Sequence, residues 1–387
     1  VTVDTATCPD CLRELRDPAD PRHGYPFINC TNCGPRYTII NRIPYDRPNT
    51  TMADFAMCPL CAGQYGDPAD RRFHAQPVAC PRCGPAVWLV GRDGRQVARD
   101  GALKEAARRL LDGRIVAVKG LGGFHLACRA DDEAAVARLR RRKRRDAKPF
   151  AVMVASLAEA RSYVDVTPDA ADLLDGPIRP IVLLRRKDGA ADTLAAAVAE
   201  GLDALGIMLP YTPVHHLLFE RMSEQGGRTP PLVMTSGNFS DEPLVKDNDT
   251  AIEQLGRIAD VLLLHNRHIA RPLDDSVAQV ADDGERMVLR RGRGLAPQPV
   301  RLELPGAEAD GAVVLAVGAE IKGAVCLYAP GRAVLSEHLG DLKDGRTYRH
   351  FARAIADLED LFELRPRVLA ADLHPQYLSS EYAVRRH

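Results

Sequence analysis

Four CxxC pairs fill the first quarter of this 387-residue chain, and they come as two copies of one arrangement. Cys8-x2-Cys11 is followed by Cys30-x2-Cys33, and Cys58-x2-Cys61 by Cys80-x2-Cys83; each half reads C-x2-C-x18-C-x2-C. A tight turn within each pair presents two sulfurs to one ion, so this spacing predicts two Zn²⁺ sites of four thiolates each. Four thiolates leave no coordination position for water, so the expected metals are structural rather than catalytic. Asp17-Pro18-Ala19-Asp20 returns as Asp67-Pro68-Ala69-Asp70, and Cys33-Gly34-Pro35 as Cys83-Gly84-Pro85, a period of fifty that marks a duplicated module over residues 1–90. Disulfides are the weaker reading, because no export segment precedes the cysteines. His23 and His74 lie between the pairs, where complete four-cysteine sets leave them as surface or packing residues.

The length predicts two to three domains. Lys plus Arg and Asp plus Glu both number 52, which argues against a surface built wholly for nucleic acid or anionic lipid. No apolar run approaches the roughly 20 residues of a membrane span. With Val1 at the start and no signal-like segment after it, the expectation is a soluble, cytoplasmic chain excised from a longer one.

Beyond Trp88 the pattern turns α/β. Gly91 to Arg95 reads as a hairpin turn, and Leu103, Ala106, Ala107, Leu110 and Leu111 recur at helical spacing. Ile115 to Val118 reads as a buried strand ending at Lys119-Gly120-Leu121-Gly122-Gly123, a turn with neither the GxGxxG nor the P-loop order. Further strands are expected at 151–154, 180–184, 232–234, 261–264 and 287–289. Three of them end in polar clusters: Thr235-Ser236-Gly237-Asn238, His265-Asn266-Arg267 and Arg290-Arg291-Gly292-Arg293. Open sheets bind ligands at strand ends. From Arg138 to Lys148 eight cations accompany one Asp146. Composition alone leaves that run either a solvated or RNA-touching face or a polyanion site at the mouth of the sheet. Cys128 and Cys326 read as core thiols, and His215 and His216 as helix-start packing or substrate-edge residues rather than metal ligands.

Several longer motifs together resemble the HypF family of carbamoyltransferases of [NiFe]-hydrogenase maturation. They are Tyr25-Pro26-Phe27-Ile28-Asn29-Cys30, Arg71-Arg72-Phe73-His74-Ala75-Gln76-Pro77, the run Lys119 to Cys128, Gly206 to Pro213, Met234 to Asn238, and His338-Leu339-Gly340-Asp341-Leu342. The middle of the chain is similar to the YrdC family, whose K-x-R and S-x-N elements match Lys143 with Arg145 and Ser236 with Asn238. The resemblance implies small duplicated zinc modules, then a YrdC-like twisted mixed sheet with flanking helices over 98–303, then over 310–387 the opening of an actin/Hsp70-like ATPase domain. One departure is Asp146, where the family more often has Pro.

The implied chemistry is ATP-dependent activation of carbamate, derived from carbamoyl phosphate, to carbamoyl adenylate. Transfer to the C-terminal cysteine of a HypE-like acceptor follows, on the way to the cyanide ligands of the hydrogenase. Besides zinc, ATP and Mg²⁺ are the implied cofactors; neither membrane nor nucleic acid is required. The expected catalytic residues are Lys143, Arg145, Ser236 and Asn238. Lys119, His125, Arg142, Lys148 and Thr235 are expected around nucleotide or substrate, with Arg290 or Arg293 as a lid. Ser276 is either a further anchor or an ordinary turn cap. The acylphosphatase-like region of the family is not matched, nor is most of its transfer domain, so the full reaction is not expected of this chain alone. The alternatives are a tRNA threonylcarbamoyl-adenylate synthase, an antibiotic O-carbamoyltransferase, and a zinc-ribbon nucleic-acid binder using the basic run.

Overall fold

The computed structural model describes residues 2–187, 193–239, 242–303, 311–343 and 345–386. Helices Pro9–Arg16 (α1) and Pro59–Gly66 (α2) each begin on the proline after a cysteine, Cys8 or Cys58. The first helical N–H has no partner in any helix, so proline costs nothing there. The two modules then grip one another. Arg22 donates through Nε to the Ala79 carbonyl (2.8 Å) and through Nη2 to Gln64 Oε1 (2.6 Å). Arg72 donates through Nε to the Asn29 carbonyl (3.2 Å) and pairs with Glu14. Positions 22, 14 and 29 become 72, 64 and 79 on adding fifty, so the duplication has produced a two-fold, self-complementary interface inside one chain.

The middle of the chain is a mixed sheet of 11 strands among the described residues. They are Val87–Gly91 (β1), Gln96–Ala98 (β2), Val116–Lys119 (β3), Phe124–Arg129 (β4), Ala151–Met153 (β5), Ile181–Arg185 (β6), Ala204–Met208 (β7), Leu232–Ser236 (β8), Val261–His265 (β9), Val277–Val280 (β10) and Arg286–Arg290 (β11). Their spatial order is β11-β10-β6-β7-β5-β8-β4-β3-β9-β1-β2. β3 and β9 pair in parallel near one end of this order and are apolar almost throughout, as strands covered on both faces must be. β1 pairs with β9, so residues 87–91 are part of this sheet rather than the tail of the second zinc module.

Period-two alternation distributes the side chains. Val116 and Val118 pack with helices Ala102–Leu111 (α3) and Pro213–Gly226 (α5). Ala117 faces the opposite core, which holds Val136 and Leu139 of Glu133–Lys143 (α4), and Ala251 and Leu255 of Asn248–Leu255 (α6). Asp132 caps α4 by accepting the Ala135 N–H (2.9 Å), and Thr212 caps α5 by accepting that of His215 (3.2 Å).

A second sheet, in the order β12-β15-β14-β13-β16, is built from Val300–Leu302 (β12), Val314–Ala316 (β13), Cys326–Ala329 (β14), Gly331–Leu335 (β15) and Val368–Ala370 (β16). It packs on Gly345–Phe362 (α7) through Leu315, Leu327, Val334, Phe351 and Ile355. Residues 300–302, expected in the middle region, are an edge strand of this second sheet. Tyr37 and Ile40 of the first module join Leu273, Ala296 and Leu361 in one apolar cluster, so all three regions meet at a common seam.

Candidate functional site: two thiolate cages and an interdomain cleft

The eight cysteines form two closed clusters, Cys8, Cys11, Cys30, Cys33 and Cys58, Cys61, Cys80, Cys83. Sγ–Sγ separations are 3.5–3.8 Å in the first (Cys33–Cys11 3.5 Å, Cys8–Cys30 3.7 Å, Cys30–Cys33 3.8 Å). In the second they are 3.6 Å for Cys58–Cys80 and Cys83–Cys61 and 3.8 Å for Cys80–Cys83. A tetrahedron with Zn–S bonds of about 2.3 Å has edges of about 3.8 Å, so the residues fit zinc without rearrangement. Arg71 donates to Cys11 Sγ from both terminal nitrogens (3.3 and 3.4 Å), and Arg22 to Cys61 Sγ (3.4 Å). These guanidiniums offset the net negative charge that four thiolates leave on a Zn²⁺ centre, and each belongs to the other module.

The second site is a cleft of about 570 Å³ between the two sheets, within the range of small-molecule sites. Its floor comes from the end of β8, and the α4–β5 connection forms one side. Lys143 is wholly buried; its ammonium donates to the Ser236 carbonyl (2.6 Å), the Asn238 carbonyl (2.5 Å) and Asn238 Oδ1 (2.7 Å). Ser236 Oγ donates to the same Oδ1 (2.7 Å), and Asn238 Nδ2 to the Glu242 carbonyl (2.5 Å). Lys143, Ser236 and Asn238, expected together, are thus brought together as a knot in which the lysine shapes the loop. Ser236 and Asn238 line the cleft, with Arg145, Lys148 and Arg290. Arg145 donates to the Lys148 (3.0 Å) and Pro149 (2.7 Å) carbonyls and lies over Phe150. Arg290 pairs with Asp274 (3.0 Å).

Other expected site residues lie elsewhere. Arg142 points away from the cleft, pairing with Asp260 (2.8 Å) and donating to the Ile258 carbonyl (2.9 Å). Arg138 and Arg140 likewise serve backbone carbonyls, Gly113 for the first, Ala197, Asp146 and Lys148 for the second. Helix ends leave carbonyls unsatisfied, and a cation-rich stretch there is drawn to them. This leaves little of the run as a continuous face for RNA.

Arg293 is not a lid. It is 1% exposed, donates to Asp275 Oδ1 (2.7 Å) and to the Ile178 and Arg179 carbonyls (both 2.7 Å), and lies 3.4 Å from the Tyr211 ring centre. Ser276 is the turn cap of its two readings, donating to the Arg293 carbonyl and accepting the Gly292 N–H (both 2.9 Å). His125 Nε2 meets Asp275 Oδ2 at 2.9 Å. Burial alone would raise the Asp275 carboxyl, but Arg293 and His125 outweigh it and hold the group well below the usual carboxylate range. This buried network was not visible in sequence. Thr235, one residue before Ser236, faces the opposite side of β8 and is buried. Lys119 lies on another wall altogether, donating to Asn248 Oδ1 (2.7 Å) and the His265 carbonyl (3.1 Å).

The cleft also takes residues that sequence reasoning assigned no role, namely Lys322, Glu337, His338 and His350 from the second sheet region. Their one signal was the motif at His338–Leu342. Burial pushes the Glu337 carboxyl up to about 7, against the opposing pull of Tyr37 and Arg271. The His350 ring lies 3.5 Å away and is held down to about 4 by its own burial. The glycine turn after β3 packs closely against the residues of the cleft wall. A Cβ on Gly122 would lie 2.3 Å from the Leu273 carbonyl, and one on Gly123 2.4 Å from the Leu244 side chain. Both leucines line the cleft.

Among the described residues no helix is long and apolar enough to cross a membrane. Residues 7–40 and 57–90 match a family described as HypF finger, residues 108–292 one described as Telomere recombination, and residues 309–387 one described as HypF Kae1-like domain. The chain is 50% identical over 392 residues to carbamoyltransferase HypF2 of Cupriavidus necator, covering 98% of this chain and 48% of that protein. To carbamoyltransferase HypF of Rhodobacter capsulatus it is 51% identical, covering 100% of this chain and 50% of the relative. A crystal structure of full-length HypF in the phosphate- and nucleotide-bound form superposes with a TM-score of 0.91 at 48% identity, over 99% of this chain and 48% of the other. That of HypF from T. kodakarensis gives 0.93 at 42% identity, over 100% and 49%. The chain therefore spans about half the length of the relatives it matches.

Proposed function

Because this chain belongs to the HypF family along its whole length, we propose that it carries the carbamate-activating part of a carbamoyltransferase. The reading is a cytoplasmic reaction in which ATP occupies the cleft between the two sheets and its phosphates lie toward Arg145, Lys148 and Arg290. A carbamate oxygen attacks the α-phosphorus, the bond to the bridging oxygen breaks, and pyrophosphate leaves. No protein nucleophile is needed, only positioned charge and exclusion of water. Ser236 Oγ and the Asn238 amide supply neutral contacts. Asp274 and Asp341, both on the cleft wall, are the carboxylates near which Mg²⁺ would sit, adding charge neutralisation on the phosphates. The carbamoyl group then passes to the C-terminal cysteine of a HypE-like acceptor, a step for which the second sheet region supplies one side of the cleft. Formation of carbamate from carbamoyl phosphate is left to a region that this chain does not match.

The observation that carries the reading is the knot of Lys143, Ser236 and Asn238 opening onto a cleft with cations on its rim. Exchange of labelled pyrophosphate into ATP, dependent on carbamate, is the direct assay. Ser236→Ala is expected to slow that exchange at least tenfold, and exchange that is absent from the unaltered protein overturns the adenylation step.

A further inference from the structure

Between the first zinc module and the central sheet lies a second, smaller cavity of about 20 Å³, room for one or two water-sized bodies. It is bounded by Lys119, Arg267, Thr7, Thr212 and Tyr211. Both cations are nearly sealed from solvent, at 4% and 5% exposure. Among the described residues neither forms an ion pair with a carboxylate, and the Arg267 guanidinium makes no side-chain hydrogen bond; it lies over the Phe27 ring, 5.1 Å from its centre. Asp4, a negative group that Arg267 senses, already accepts from the Arg36 and Thr38 N–H groups and the Thr38 hydroxyl. Burial, joined by the repulsion of Arg267, pulls the Lys119 ammonium down to about 8, and burial pulls Arg267 down to about 10. Asp247 acts on Lys119 as Asp4 does on Arg267, in both cases without an ion pair, and two cations buried together that no carboxylate contacts directly are costly unless an anion joins them. Thr212 to Val214, the cap and first residues of α5, also line the cavity, and a helix start carries partial positive charge toward it.

We propose that this cavity binds one small planar carbon oxyanion, bicarbonate or carbamate, held between Lys119 and Arg267. The space is too small for a nucleotide. The turn Gly120–Gly123 separates it from the large cleft, with Lys119, Gly120 and Leu121 on one side and the Leu244 and Leu273 contacts on the other. The choice of anion rests on the carbamate-activating reading above. In that scheme the site holds the small acid one turn of chain away from the nucleotide.

The test titrates ¹³C-bicarbonate into the zinc-loaded protein and follows broadening of its NMR line, alone and with ammonium, which forms carbamate in equilibrium. Sodium chloride at matched ionic strength is the control. Wild type and Arg267→Lys, which keeps the charge, should bind within a few-fold of each other. Arg267→Gln and Lys119→Gln should each weaken binding at least tenfold, with ATP affinity within twofold of wild type. The larger effect with ammonium present identifies carbamate as the ligand, and no change on adding it identifies bicarbonate. Absence of broadening in wild type, equal broadening in Arg267→Gln, displacement by chloride at equal concentration, or competition with ATP would each overturn the proposal. ATP binding measured on the same samples keeps the two readings separable, since its loss counts against the nucleotide cleft alone.

Discussion

Lys143→Met separates two jobs that a basic residue in such a motif can do. In this fold the ammonium is wholly buried and gives hydrogen bonds of 2.5–2.7 Å to two carbonyls and one amide oxygen of the Ser236–Asn238 loop. Hydrogen bonds involving a charged group contribute about 1.5–3 kcal/mol each, and truncating one partner of a buried set leaves the others unsatisfied at about 3–5 kcal/mol in total. Ser236 and Asn238 reach the cleft, so water can relieve part of that loss, and about 3 kcal/mol is the expected cost. Against a total stability of about 5–15 kcal/mol this is severe. At about 2–4 °C per kcal/mol for a domain of this size, the midpoint should fall by roughly 6–12 °C. Ser236→Ala loses one neutral bond, about 1 kcal/mol, and should melt within about 4 °C of wild type. The assay is calorimetry on the zinc-loaded chain with ATP affinity measured in parallel. If Lys143→Met melts within about 2 °C of wild type while losing nucleotide, the lysine is not the tie of the loop, and the reasoning is refuted.

Metal analysis should give two zinc per chain, and Cys33→Ser should lower this to one with loss of ordered structure in the first module, read by amide exchange. Arg72→Ala removes the donor to the Asn29 carbonyl but leaves Glu14 paired with Arg71, and should destabilise the zinc region by about 1–2 kcal/mol. Arg22→Ala, which takes a cation from the Cys61 thiolate as well as donors from Ala79 and Gln64, should cost more, and denaturant midpoints of the two variants decide the order. Glu337 holds its proton more tightly folded, at about 7, than its ordinary value of 4.5. Its contribution is therefore fully present below about pH 4.5 and lost as pH rises through 7. Glu337→Gln should abolish that decline, gaining up to about 3 kcal/mol over wild type at pH 8 in chemical denaturation.

What could be read from the sequence follows from how local each constraint is. The zinc cages were legible because metal geometry writes its demand into spacing: two residues between paired cysteines, and the same pattern again fifty on. The central strands were legible because Val116–Lys119 and Val261–His265 are covered on both faces and must be apolar. Edge pairings were not, since nothing near residues 87–91 announces a partner at 261–265, and Val300–Leu302 carries no mark of the sheet it joins. The basic run shows the same gap at the level of side chains. Its charge is plain in sequence, but direction is decided by which acceptors the fold leaves open, and Arg138, Arg140 and Arg142 were taken by the chain's own carbonyls and Asp260. Arg293 turned inward for a similar reason, with Asp275 beneath it. A buried cation is therefore a candidate for ligand contact only after the protein's own acceptors have been counted. By that count Arg293 is fully occupied, Lys143 is committed to shaping the loop, and Arg145 and Arg290 keep contact with the cleft. Arg267 and Lys119 are left as buried cations that no carboxylate of the described residues pairs with directly, Asp4 and Asp247 acting without an ion pair, which makes their cavity the sharper test of where the small acid binds.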